Sequence, residues 1–289
     1  MNNLEMGTSI PKKIVEEHEE KEKRIEEIVS QIEKAYEENK SKLEETTFET
    51  IPIIEEEILP KIPEIKSKDL EGVLNQLLER CKNKDYDPSD LGLLISLINN
   101  RTVEEYIREN QEEGKEEKDI EPLNIHLKID QLKKSISYLG YKNSEKSNLF
   151  IEGNCKDRIG YFAEGGKIEV NGNCNDWVGS FNNGCEIIVR KKCGSNSGSF
   201  MKKGKIEIGG NTEDFAASSM EGGELKIKRN CNGYGNAFCM KGGKLIIEGN
   251  VEKFDPTAFN LIEDDRLLNK GEIWNKGNQI KRTPLRKVI

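Results

Sequence analysis

Histidine is nearly missing from this sequence: its 289 residues include only His18 and His126. Imidazole-based metal sites and Ser-His-Asp chemistry therefore have almost no material to work with. No CxxC occurs among the 7 cysteines, so no pair has the spacing of a zinc ribbon or a thioredoxin-like motif. Neither GxxxxGKS/T nor a GxGxxG leading into a helix is present, which leaves the glycines without a phosphate-loop pattern. The longest nearly uninterrupted apolar run, Leu91 to Ile98, is less than half of the roughly 20 residues a membrane helix needs. The opening MNNLEMGTS has no signal-like apolar core. Hydrophobic residues make up 34% and aromatics 6%, so part of the chain is expected to be solvated helix or linker. Together these absences lead us to expect a cytoplasmic, non-enzymatic chain with no cofactor, no metal and no membrane association.

What is present divides unevenly. Residues 1–147 carry 23 Lys+Arg against 35 Asp+Glu, residues 148–255 carry 15 against 14, and residues 256–289 carry 7 against 4. Glycine concentrates between 153 and 249. The spacing predicts a helix over about 14–43, with Ile25, Ile28, Val29, Ile32, Ala35, Tyr36 and Leu43 on one seam. Pro52, Pro60 and Pro63 mark 50–66 as a linker that can dock its isoleucines. Apolar steps predict helices over 69–82 and after Pro88, and Thr102 with Glu105 reads as a capping box opening a third. Residues 111–119 read as an exposed polar linker. Residues 124–139 mix strand-like alternation (Ile125, Leu127, Ile129) with helical steps (Leu132, Ile136, Leu139).

The second half repeats. GKIEVNGNC (166–174) recurs as CEIIVRKKC (185–193), GKIEIGGNT (204–212), GELKIKRNC (223–231) and GKLIIEGNV (243–251), at 19 residues and then 20 for the last step. Ile168, Ile187, Ile206, Leu225 and Leu245 form one column and Val170, Val189, Ile208, Ile227 and Ile247 another, two residues on and so on the same strand face. Val189 should face inward and Glu186 outward. Phe162, Phe181 and Phe200 make a third apolar column. Asn154, Asn173, Asn211, Asn230 and Asn250 make a fourth, broken by Lys192, and are expected to form an amide ladder. Lys167, Glu186, Lys205, Glu224 and Lys244 alternate in sign, which makes sense when repeats stack at roughly 4.8 Å. Short strands, glycine corners and one inward column per position predict an α+β chain: an N-terminal α-helical region followed by a single-stranded β-solenoid of about 19 residues per coil.

Segments such as GSFMKKGKIEIGGN (198–211) and FCMKGGKLIIEGN (238–250) resemble the G-x-x-M-x-G-G-x-I-x-V-x-G repeat of the GXGXG domain. That domain forms a right-handed β-helix in the glutamate synthase large subunit and in one of the subunits of formylmethanofuran dehydrogenase. The resemblance covers about 148–254 and implies a right-handed β-helix that braces other domains or subunits and supplies no catalytic side chain. The chain departs from the pattern at Lys191 and Arg229, at Asn183 and Lys203, and at Ala217 and Asn236.

The expected organisation is an acidic arm and linker (1–66), a small helical bundle (67–121), an N-terminal cap (122–147), the solenoid (148–254) and a C-terminal cap with a basic tail (255–289). The arm is expected to be dispensable for folding and to mediate self-association or capture of a protein partner through Ile25, Ile28, Ile32, Tyr36 and Leu43. Arg190, Lys191, Lys192, Lys203, Lys228 and Arg229 are the candidate basic face. The expected function is a structural scaffold. The alternatives are an accessory subunit of a multi-subunit redox enzyme, which the resemblance implies, or an RNA- or ribonucleoprotein-associated factor using the basic face. Cys155, Cys174, Cys193 and Cys231 share one column and read as reduced interior thiols, with a disulfide between adjacent rungs as the alternative.

Overall fold

The computed structural model describes residues 12–43, 50–82, 84, 86–251 and 272–280. Within them the fold is mixed α and β: four α-helices come first, then an open nine-stranded sheet whose strands lie side by side in chain order. Every neighbouring pair is parallel except the last. No helix among the described residues is long and apolar enough to cross a membrane.

Helix α1 (Lys12–Leu43) is exposed all round from residue 13 to 24. From Ile25 onward the apolar seam is buried, with Val29 and Ile32 fully enclosed, and it packs on α3 (Ser67–Cys81). The two helices are also joined by charge. Arg24 donates from Nε and Nη2 to the two carboxylate oxygens of Asp69 at 2.9 Å each, and Arg80 and Lys84 both donate to Glu33 at 2.7 Å. The free arm expected over 1–66 is thus a correction: its seam belongs to the core, because α3 offers a complementary stripe (Leu70, Val73, Leu74, Leu77, Leu78).

Pro52 does not prevent α2 (Thr50–Ile53), since it falls in the first turn, where an N–H would have no intrahelical acceptor. A π turn (Ile54–Ile58) and a 3-10 turn (Leu59–Lys61) continue it, burying Ile54, Ile58, Ile62 and Ile65 as the docking expectation required. Arg101 straps this segment down by donating to the carbonyls of Leu59 (2.7 Å), Ile62 (3.3 Å) and Pro63 (2.9 Å).

One long helix, α4 (Pro88–Glu112), replaces the two expected. Asp87 caps it, accepting from the Ser89 and Asp90 N–H groups, and Thr102 lies buried inside it, so the capping-box reading fails. Leu91 to Asn99 are buried all round. Gly92 allows the closest approach: a Cβ there would lie 1.7 Å from the Ser137 carbonyl oxygen.

The sheet consists of β1 (Leu123–Lys128), β2 (Ser147–Glu152), β3 (Lys167–Asn171), β4 (Asn183–Val189), β5 (Lys203–Ile208), β6 (Glu224–Ile227), β7 (Lys244–Ile247), β8 (Glu272–Asn275) and β9 (Asn278–Gln279). Its register follows the sequence repeat: Lys167, Glu186, Lys205, Glu224 and Lys244 are successive partners, and Glu272 extends the alternation. Val189 is fully buried and Glu186 is exposed, as the columns require. Residues 122–147, expected as a cap, instead hold β1, a strand in register with β2. The cap is α3: Glu71 accepts from the His126 N–H (2.8 Å), while Asn75 accepts from the Lys128 N–H (3.0 Å) and donates to the His126 carbonyl. Side chains of a helix thereby satisfy a sheet edge that would otherwise be open to another chain. At the other end β9 turns back antiparallel on β8, bringing Ile273 and Trp274 of the expected C-terminal cap into the sheet. Leu261, Ile262, Leu267, Leu268 and the basic tail beyond Ile280 lie outside the described residues.

Between strands, three alternate residues per repeat hold positive φ: Arg158, Gly160 and Phe162, then Trp177, Gly179 and Phe181, then Asn196, Gly198 and Phe200, all between 57° and 68°. Side chains at such angles carry strain that only the surroundings can hold. Here the Phe162 N–H donates to Ser180 O in the following repeat (3.1 Å) and the Gly160 N–H to Leu139 O in the preceding one (2.9 Å), so each corner is tied in both directions.

Candidate functional site

Five residues proposed from sequence for association, Ile25, Ile28, Ile32, Tyr36 and Leu43, are at most 8% exposed. The Tyr36 hydroxyl faces Asp90 at 3.4 Å, and burial and that carboxylate push its pKa above the ordinary phenol range. These side chains are structural contacts of the helical region, not a free surface.

The basic residues do not form one patch. Lys203 opens β5 opposite Asn183, at the far end of the strand from the others. Arg190, Lys191, Lys192 and Arg229 follow β4 and β6 directly and line one concavity of about 310 Å³ together with Asn173, Gly209, Gly210 and Asn211. Lys228 is on the same rung as Arg229, but it is paired with Glu207, and Arg190 is paired with Glu169. Those pairings hold both carboxylates below their ordinary range: hydrogen bonds from Lys167 and then Arg190 act on Glu169, and one from Lys228 acts on Glu207. Of the alternating column, only Lys205 and Glu224 come within ion-pair distance, at 4.0 Å, and Lys167 turns instead to Glu169 at 2.8 Å.

Three more features run along the stack. Phe162, Phe181 and Phe200 lie ring on ring at 4.7 and 4.8 Å, with Phe162 and Phe200 more than a third exposed. All three sit at left-handed backbone positions, and the middle ring, Phe181, is half-buried against the core. Cys155, Cys174, Cys193 and Cys231 are buried free thiols in one column, as expected. Contacts with Cys155 and Cys193, together with burial, raise the Cys174 thiol, and burial pushes Cys231 up to about 11. Cys174 and Cys231 thus stay protonated at neutral pH and are poor nucleophiles. No group of three or more His, Cys, Asp or Glu side chains is placed to hold a metal ion among the described residues. The expected amide ladder is present at one rung, where the Asn173 side-chain amide donates to Asn154 Oδ1 at 3.0 Å, but the recurring contact is a different one. The asparagine side-chain carbonyls accept from the backbone N–H one rung on: Asn173 to Asn154 (2.9 Å), Lys192 to Asn173 (3.3 Å), Asn230 to Asn211 (3.1 Å) and Asn250 to Asn230 (2.9 Å).

Sequence reasoning missed Gly209, Gly210, Asn173 and Asn211 as lining residues. The signal was there: the Gly209-Gly210 rung sits between Arg190-Lys191 and Lys228-Arg229 at the repeat spacing. A scan against models of protein families finds no match for this chain, and searches of curated proteins and of solved structures likewise return none.

Proposed function

We propose that this protein is a non-enzymatic scaffold whose parallel stack is a right-handed β-solenoid of the GXGXG type over about 148–254, presenting rigid faces to a protein partner. One observation carries the reading: the pairing register repeats every 19 residues from β2 to β6, so like side chains are stacked in straight columns along the outside as well as the inside. A surface built this way is fixed by backbone hydrogen bonds and does not depend on side-chain order. The stacked phenylalanine column, with Phe162 and Phe200 exposed, supports docking, since exposed apolar side chains in a row are a usual mark of a protein interface. The helical region then serves as the cap that ends the stack at β1.

Purification of the full chain from its native host, beside a Phe162→Ser, Phe181→Ser, Phe200→Ser variant, tests this. Mass spectrometry should find a protein at fixed stoichiometry with the native chain and not with the variant, while circular dichroism of the two agrees. Recovery of the chain alone, or the same company with both, overturns the reading.

A further inference from the structure

The rung at Gly209-Gly210-Asn211 differs from its neighbours in two independent ways. Gly209 and Gly210 present no side chains, while the rung before carries Arg190, Lys191 and Lys192 and the rung after carries Lys228 and Arg229. Adjacent rungs stand roughly 4.8 Å apart, so cationic walls face each other over a floor of bare backbone about 10 Å wide. Neither glycine can be filled without moving that backbone: a Cβ would meet the Arg190 carbonyl oxygen at 2.3 Å or the Lys191 carbonyl carbon at 2.8 Å.

The second difference concerns a donor. In this column the N–H groups of Asn173, Lys192, Asn230 and Asn250 each find the side-chain carbonyl of the asparagine one rung earlier. Lys192 stands where Asn211 needs that asparagine and has no acceptor to offer. The Asn211 N–H is accordingly without an acceptor among the described residues, although Asn211 is only partly exposed. The same substitution places an ammonium beside the orphan donor. The charges there are also unspent: Arg190 and Lys228 are paired with Glu169 and Glu207, but Lys191, Lys192 and Arg229 have no carboxylate partner among the described residues.

We propose that this notch binds a phosphate group, in the form of a small phosphomonoester. Lys191, Lys192 and Arg229 supply the charge, the Asn211 N–H supplies one directed hydrogen bond, and the Asn173 side-chain amide lines the same space. A guanidinium and a backbone N–H around an otherwise bare floor suit the oxygens of a phosphate, which accept several donors at once. No aromatic side chain lines the notch, so it offers no stacking platform for a base, which favours a small ester over a single-stranded nucleic acid. The proposal rests on local geometry and does not require the scaffold reading.

Titration of the full-length protein, labelled with nitrogen-15, tests it. Inorganic phosphate and phosphoserine should each shift the Asn211 and Gly210 amide signals saturably, while chloride at equal ionic strength leaves them in place. Lys192→Asn, which restores the missing acceptor and removes a charge, and Arg229→Gln should each weaken binding by about tenfold or more, with an unchanged amide spectrum elsewhere. The absence of a saturable shift, an equal response to chloride, or unchanged affinity in both variants would overturn the assignment. So would binding confined to an oligonucleotide such as oligo(dT), which would move the site to nucleic-acid recognition, with a salt slope of about −2 for the three free cations.

Discussion

Arg24 meets Asp69 once in this protein, and Arg101 gathers the carbonyls of the 59–63 segment once, whereas Ile168, Ile187, Ile206, Leu225 and Leu245 make the same contact in every repeat. The helical region is held by individual interactions between distant parts of the chain; the parallel stack is held by a few interactions copied at fixed spacing. A copied interaction can fail at one rung and still be held from both sides, as at Lys192, where the asparagine column is interrupted but the Cys193 N–H still donates to Asn211 O at 2.9 Å. A single interaction has no such neighbours. Departures from the repeat are therefore where the stack can carry chemistry, while departures from packing in the helical region simply destabilise it.

Removing residues 1–66 would break this comparison most severely. It strips α3 and α4 of Val29, Ile32, Tyr36, Ile54 and Ile58, each at most 1% exposed, at roughly 1.5–3 kcal/mol of burial per large apolar side chain. The truncated chain should lose more helical circular dichroism than the deleted α1 and α2 themselves contribute, and should melt well below the full-length protein. A truncated chain that keeps the helical signal of α3 and α4 and an unchanged melting transition would restore the free-arm expectation. Within the stack, Val189→Asp buries an unpaired carboxylate among branched aliphatics and should cost about 4 kcal/mol or more in urea melts. Glu186→Gln, on the exposed face of the same strand, should cost less than about 1 kcal/mol. Equal effects would mean that the strand faces are misassigned.

Gly179→Ala sharpens the account of the corners. Its φ is +61° and an added Cβ would lie 2.3 Å from Ile206 Cδ1, so a loss of about 1–3 kcal/mol is expected in the same assay. A further effect concerns pH. Burial and the nearby Asp87 raise Asp90 to about 6, against the partial offset of the Tyr36 hydrogen bond. A carboxyl raised in the folded state favours folding when protonated, so stability should fall as pH rises from about 4 through about 6. Asp90→Asn should remove that dependence from pH-resolved urea melts; an unchanged slope would show that Asp90 is not its source.

The repeat was legible because its columns are chemical. Isoleucine, valine and cysteine recur at one interval, and a parallel register reproduces that interval directly. The stripe on α1 was legible as a stripe but not as core, since an apolar seam shows that a face is buried and not what covers it. The alternation of Ile125, Leu127 and Ile129 already read as a strand, but not as a rung of the stack, because β1 sits 24 residues from its β2 partner and its Leu-Asn-Ile-His-Leu lacks the glycine corner of the later copies. Thr102 misled because a capping box and a buried helix interior can share the residues T-x-x-E. Of the notch, the basic residues were read from the sequence. The floor was not, because glycine and a missing acceptor are visible only once the rungs are stacked.

Residue-resolved amide hydrogen exchange in the native protein tests the central claim, that chemistry in this chain is written as departures from a 19-residue register. The account predicts slow exchange at the amides of Asn173, Lys192, Asn230 and Asn250, each bonded to the asparagine one rung earlier, with Asn211 exchanging far faster until phosphate is added. Protection of Asn211 equal to that of its column without phosphate, or fast exchange throughout the column, would contradict it.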